Sequence, residues 1–253
     1  MSRAKKQLKA RRRRERGGPL GRGHGSPRTF DPVNDAADGD VLLLSYEIID
    51  GPLHLPDEAD PSFWRALGEH DREVIHGQVA NDPLRAVERL EPLLEKFPSA
   101  PMLLNWLSAA YANLGLEHKS EEIVRLNYER NPNYLFARAN YAQVCLARGD
   151  LDRVKEVFDN KFDLKLMYPH RNVFHVTEFA AFAAVAIEYF ARTGEWDAAK
   201  RLYEVMAQVA PDHPATGQAR ALLVRSVVNR ALDRVRRQLT RRGAAAPAGR
   251  VGC

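Results

Sequence analysis

The sequence has few of the residues on which disulfide-rich folds and membrane spans depend. Only two cysteines, Cys145 and Cys253, occur in 253 residues, which excludes a disulfide framework and fits a reducing compartment. No apolar run is long enough to cross a bilayer. We therefore expect a cytoplasmic protein that does not insert into a membrane.

Clusters of side chains that could form a catalytic or metal site are also scarce. His170 and His175 lie close together in the sequence but lack a third ligand at a metal-binding spacing. No Ser or Cys occurs in a nucleophile-elbow or dyad context. The stretch GGPLGRGHG lacks the Gly-Lys-Ser/Thr ending of a phosphate loop. We therefore expect no enzymatic activity, no bound metal and no cofactor.

The positive charge of the chain is concentrated at its two ends. Residues 1–28 contain eleven Lys and Arg against one acid, and residues 220–253 contain nine Arg against one acid. Residues 29–219 carry eighteen basic and thirty-one acidic side chains, a net charge of about −13. Any binding of polyanions is therefore expected at the ends and not on the acidic body.

A spacing of 34 residues recurs through this body. Pro98 and Pro132 are 34 residues apart, and Pro132 and Pro211 are 79 apart, which is two such periods and 11 further residues. Similar large, aromatic, small and glycine residues precede the prolines at similar offsets. The two copies that agree best contain Leu104, Leu107, Ser108, Tyr111, Gly115, Ser120, Val124 and Pro132, and Ala183, Ala186, Ile187, Phe190, Gly194, Ala199, Tyr203 and Pro211.

This pattern resembles the tetratricopeptide repeat, a helix–turn–helix unit of 34 residues. Gly115, Gly149 and Gly194 stand where the first helix of a unit must end, and glycine accepts the left-handed conformation required there. Each unit of this family exposes an apolar face that only the next unit can bury. The resemblance implies an all-α fold, a right-handed solenoid of helical hairpins.

The resemblance divides the chain into an array of repeats and its flanks. The expected units lie near residues 67–100, 101–134, 135–168 and 180–213. The first and third units match the pattern poorly, and residues 169–179 form an insertion. A basic capping helix is expected over 214–242. Residues 1–28 and 243–253 are expected to be disordered tails because they contain too few large apolar side chains to form a core.

Residues 29–66 are expected to dock on the array. Val41–Ile49 is an apolar run of strand length, but the sequence predicts no sheet for it to join. We expect an extended or short helical segment packed on the first helical unit. An alternative is that this run lies in the groove of the array and blocks it.

In the family that the sequence resembles, the first helix of each unit lines a concave surface. Amide side chains there can bond a peptide backbone as donor and acceptor, and a tryptophan could supply an apolar pocket. We therefore expect a non-enzymatic scaffold or adaptor for a peptide or protein partner. The residues that the resemblance places in the groove are Asn105, Trp106, Asn113, Asn140, Gln143, Glu188 and Arg192.

The cationic ends suggest a second function, an adaptor associated with RNA or the ribosome. No aromatic residue interleaves the basic runs, so stacking on bases is not expected. Another alternative is that the basic tail folds over the acidic body. The candidate polyanion-binding residues are Arg11, Arg12, Arg13, Arg14, Arg230, Arg234, Arg237 and Arg241.

Overall fold

The computed structural model describes residues 45–50 and 69–244. The basic tail, most of the predicted docking segment and nearly all of the C-terminal tail lie outside these residues. Within them the protein is mostly helical, as predicted. The helices are α1 (Glu69–Asn81), α2 (Pro83–Lys96), α3 (Pro101–Asn113), α4 (Glu117–Arg130), α5 (Leu135–Arg148), α6 (Leu151–Val157), α7 (Leu164–Met167), α8 (Val176–Thr193), α9 (Trp196–Val209) and α10 (Pro214–Ala244), and the strands are β1 (Glu47–Ile49) and β2 (Val173–His175).

Three glycines reverse the chain between paired helices. Gly115, Gly149 and Gly194 have φ angles of 72°, 76° and 90°, a region that side chains with a Cβ rarely adopt. Each follows one helix and leads directly into the next, so the paired helices become antiparallel neighbours. The expected left-handed conformation of these three glycines is confirmed.

The helices pack mainly in chain order. Neighbouring helices contact each other from α1 to α6 and from α8 to α10. Contacts also join the helices that begin successive pairs: α1 with α3, α3 with α5, α5 with α8, and α8 with α10. Within the described residues, no helix is both long enough and apolar enough to cross a membrane.

Two apolar clusters form the core. The first joins α1, α2 and α3 and includes Ile75, Leu90 and Leu107. The second extends from α5 to the start of α10 and includes both strands. Helix α4 lies between them, since its Ile123 packs on the first cluster and its Tyr128 on the second.

The short helix α6 ends in an irregular turn that brings aromatic side chains into the core. Asp159 and Asn160 follow it with φ angles of 54° and 58°, a conformation that Asp and Asn tolerate better than other side chains. The guanidinium of Arg138, itself buried, donates to the carbonyl of Val157 at 3.2 Å and to the carboxylate of Asp159 at 2.8 Å. These bonds fix the turn.

Residues 45–50, the described part of the predicted docking segment, pair with the predicted insertion, residues 169–179. Strand β1 pairs in parallel with β2, with Glu47, Ile48 and Ile49 opposite Val173, Phe174 and His175. The ring of Tyr46 meets that of Phe174 edge-on at 5.1 Å, and burial raises the pKa of Tyr46. The expectation that this run packs on the first helical unit is therefore wrong for residues 45–50, because their partner strand comes from the insertion.

One buried ion pair fixes the insertion to the start of α8. Arg171 donates to both carboxylate oxygens of Glu178, at 3.2 and 2.8 Å, and the Glu178 side chain is 3% exposed. Glu178 also accepts the backbone N–H of His175, whose ring accepts the N–H of Thr177. Together these bonds form a capping box that starts the helix.

We expect Arg171→Ala to destabilise the protein by about 3 kcal/mol, because it leaves a buried carboxylate without its cation. Urea denaturation followed by circular dichroism measures the change. The matched control is Arg125→Ala, which breaks an exposed pair with Glu129 and should cost less than about 0.5 kcal/mol. Equal losses for the two variants would contradict a structural role for the Arg171–Glu178 pair.

We expect Tyr46→Ala to release β1 from the protein, because the ring is the buried contact of this segment. Amide hydrogen exchange at Glu47, whose N–H donates to Asn172, should become faster by at least roughly tenfold. Tyr46→Phe, which keeps the ring, should change the exchange much less. Unchanged exchange in Tyr46→Ala would mean that the backbone bonds alone hold the strand.

Candidate functional site

Five of the seven predicted groove residues lie in two polar clusters on α3, α5 and α8. The first, which we call the asparagine cluster, joins Asn105 on α3, Asn127 on α4 and Asn140 on α5. The second, which we call the charged cluster, joins Gln143 on α5 with Glu188 and Arg192 on α8. Both clusters bridge helices that the sequence placed in different units.

Asn105 is the centre of the asparagine cluster. Its Oδ1 accepts from Nδ2 of Asn127 at 2.8 Å and from Nδ2 of Asn140 at 3.2 Å, and its Nδ2 donates to Tyr134 Oη at 3.4 Å. Both lone pairs of the amide oxygen are therefore in use. Asn105 can therefore offer a ligand only an N–H. Asn140 differs, because none of the described hydrogen bonds uses its amide carbonyl, which can accept from an incoming donor.

Asn127 connects this cluster to the interior. It is 1% exposed, and its Nδ2 also donates to the carbonyl of Pro101 at 3.1 Å. Asn131, one turn later on α4, donates to Asn127 Oδ1 at 2.9 Å. The repeat pattern did not place Asn127 or Asn131 in the groove. Their spacing of four residues, which places them on one face of a helix, was the signal that could have found them.

The charged cluster is open to solvent. Gln143 Nε2 donates to Glu188 Oε2 at 3.2 Å, and Arg192 donates to Glu188 Oε1 at 2.6 Å and to the carbonyl of Leu146 at 2.8 Å. Gln143 and Arg192 are exposed and Glu188 is half-buried. The cluster thus presents an amide, a carboxylate and a guanidinium close together, which can bond both a peptide backbone and a charged side chain.

Two predicted groove residues have other surroundings. Trp106 is 7% exposed and packs in the apolar cluster of α1, α2 and α3, so the expectation that it opens an apolar pocket to a ligand is wrong. Its indole fills the space between helices instead. Asn113 is exposed at the end of α3, and its Nδ2 donates to the carbonyl of Val79 on α1 at 2.7 Å. It therefore ties two helices together at the edge of the surface.

The predicted polyanion-binding residues lie mostly outside what the structure describes. Arg11 to Arg14 fall before residue 45. Arg230, Arg234 and Arg241 lie on the helical backbone of α10, where only the side chain of Arg237 among the predicted set is described, and it is exposed.

The described residues include no group of three or more His, Cys, Asp or Glu side chains that could hold a metal ion. His175 caps α8, and its Nδ1 lies 2.7 Å from Thr177 Oγ1. Cys145 is buried, and burial, with Asp150, raises the pKa of its thiol. A protonated, enclosed thiol is a poor nucleophile.

Comparison with known protein families and with curated proteins finds no significant match. The features from which we infer a function are the two clusters and the charge distribution of the chain.

We expect Asn105→Ala to destabilise the protein by about 1–3 kcal/mol, because it removes an acceptor from the buried Asn127 amide. Gln143→Ala, which removes an exposed amide, should change stability by less than about 0.5 kcal/mol. Thermal unfolding of both variants beside the wild type tests the difference. A stable Asn105→Ala variant would mean that water replaces the lost acceptor.

Proposed function

We propose that the protein is a non-enzymatic scaffold whose helical hairpins form a tetratricopeptide-like solenoid and bind a peptide or protein partner. The observation that carries this proposal is the succession of contacts between α1, α3, α5 and α8, with polar side chains of α3, α5 and α8 gathered into two clusters. The first helices of stacked hairpins line one surface in solenoids of this kind.

The charged cluster is the better candidate for direct contact with the partner. Its exposed members, Gln143 and Arg192, can exchange their present bonds for bonds to a ligand without exposing the core. An extended segment could place backbone groups against Gln143 and the carbonyl of Asn140, and an acidic side chain against Arg192. We infer that the asparagine cluster holds α3, α4 and α5 in register and contributes mainly through Asn140.

The first test is capture of partners from lysate by the full chain. We expect Gln143→Ala combined with Arg192→Ala to reduce recovery of a specific protein by roughly tenfold or more, because two direct bonds are lost. The matched control is Gln208→Ala combined with Lys200→Ala, which removes an exposed glutamine and an exposed cation on α9. Circular dichroism must show that both variants are folded.

The partner identified in this way should then be titrated by calorimetry. A partner that binds the wild type and the α9 control equally, and the charged-cluster variant weakly, supports the proposal. Equal affinity for all three proteins would overturn the assignment of this surface. The variants keep every residue of the asparagine cluster, so a loss of affinity cannot come from disruption of that cluster.

A second candidate function is an adaptor that binds RNA or the ribosome through its cationic ends. The observation that favours it is the charge of the two ends. Residues 1–28 contain eleven Lys and Arg and one acid, and residues 220–253 contain nine Arg and one acid. Binding through phosphates should weaken steeply with salt. Nuclease treatment of the captured material and its absorbance at 260 nm (the nucleic-acid band) would separate this function from peptide binding.

A further inference from the structure

The last helix carries an exposed apolar stripe that the folded body leaves uncovered. Val224, Val228 and Leu232 on α10 are 58%, 50% and 51% exposed. They are spaced by four residues and therefore lie along one side of the helix. In the sequence, Val235 and Leu239 continue this spacing at intervals of three and four residues. We call Val224, Val228 and Leu232 the α10 stripe.

The stripe lies on the side of α10 that faces away from the body, because the residues of α10 that pack on the body are on the other side of the helix. Thr216 and Ala219 are buried, and the Thr216 hydroxyl donates to the carbonyl of Ala210 at 2.6 Å. Leu222 and Leu223 are half-buried against the second apolar cluster.

A partner bound to the stripe would also stabilise α10. Helix α10 has 31 residues, and beyond Leu223 each of Val224, Arg225, Val228, Leu232 and Arg237 is exposed. A helical stretch of about 20 residues gains little stability in water without packing. An apolar seam at three- and four-residue spacing is the arrangement through which two helices pack together.

The positive charge of α10 determines which kind of partner helix can bind to the stripe. Arg220, Arg225 and Arg237 are exposed, and from residue 220 to residue 244 the sequence has eight Arg and the single acid Asp233. A second copy of α10 would bring two such helices together and is disfavoured by repulsion. An acidic helix would gain attraction along the same length.

Other anionic partners would leave the stripe unused. Residues 214–244 contain no aromatic residue, whereas helices that lie on membranes favour Trp, Phe and Leu on the inserted face. RNA would bind the arginines through its phosphates but would leave the exposed valines without an apolar partner. We propose that the α10 stripe, together with Arg220 and Arg225 beside it, binds an amphipathic helix of a partner protein that carries an apolar seam and acidic flanks.

The experiment uses the full chain and a synthetic probe. The probe is a labelled peptide of about four heptads with Leu at positions a and d and Glu at e and g, and its control has Lys at e and g. We expect the acidic peptide to bind at least roughly tenfold more tightly than the basic one, as measured by fluorescence anisotropy. Equal affinity for the two peptides, or no binding of the acidic one, would falsify the proposal.

Variants separate the stripe from general charge attraction. The combined substitutions Val224→Gln, Val228→Gln and Leu232→Gln should raise the dissociation constant for the acidic peptide by roughly tenfold or more, since three apolar contacts are lost. The matched control is Leu84→Gln on α2, which removes an equally exposed leucine elsewhere and should change nothing. Circular dichroism must show unchanged helix content. Unaltered affinity in the stripe variant would overturn the role of the apolar seam.

Three further readouts test the choice of partner. Binding of poly(U) or of anionic phosphatidylglycerol vesicles that is lost in the stripe variant would contradict a protein helix as the occupant. Dimers of the wild type in analytical ultracentrifugation that are absent in the stripe variant would show that a second copy covers the stripe. Retained binding of the acidic peptide by Gln143→Ala combined with Arg192→Ala would show that this surface acts independently of the proposed groove.

Discussion

The middle of the molecule depends on one buried carboxylate. Glu178 accepts the N–H of His175 at the start of α8 and holds the guanidinium of Arg171, which in turn lies over the ring of Phe174 at 4.3 Å. Because a lone buried carboxylate is strongly unfavourable, these groups must come together for the insertion to fold. Their positions set the direction of β2, and β2 provides the pairing edge for β1. The irregular part of the chain is thus organised around a single charge.

The two polar clusters differ in how freely their hydrogen bonds can be exchanged. In the asparagine cluster the bonds are satisfied inside the protein, and a buried amide leaves little freedom to exchange partners. They specify how α3, α4 and α5 meet. In the charged cluster the same kinds of atoms stand at the surface, where water already competes for them. Gln143 and Arg192 can therefore exchange their bonds more easily than Asn105 can, although the repeat pattern does not distinguish the three.

Local signals predicted the helices well, and contacts between distant residues explain the failures. A glycine at the end of a helix indicates a left-handed backbone conformation by its residue type alone, so the sequence could place the three turns. The pairing of β1 with β2 joins segments far apart in the chain, and no short pattern marks it. The burial of Trp106 depends on how α1 and α2 close around α3. The repeat pattern assigns a helix face, but it does not tell how far the neighbouring helices extend over that face.

The parallel pairing of β1 and β2 has a consequence for the newly made chain. Strand β1 leaves the ribosome before any of the helices that the structure describes, yet its partner follows only after α7 has been synthesised. At ordinary rates of translation this interval is on the order of ten seconds. During that time β1 has no partner strand, and Phe174, which meets the ring of Tyr46, has not yet been made. The nascent protein thus exposes an unpaired, partly apolar strand for as long as its middle is being made, and this exposure favours contact with the helices already folded or with a chaperone.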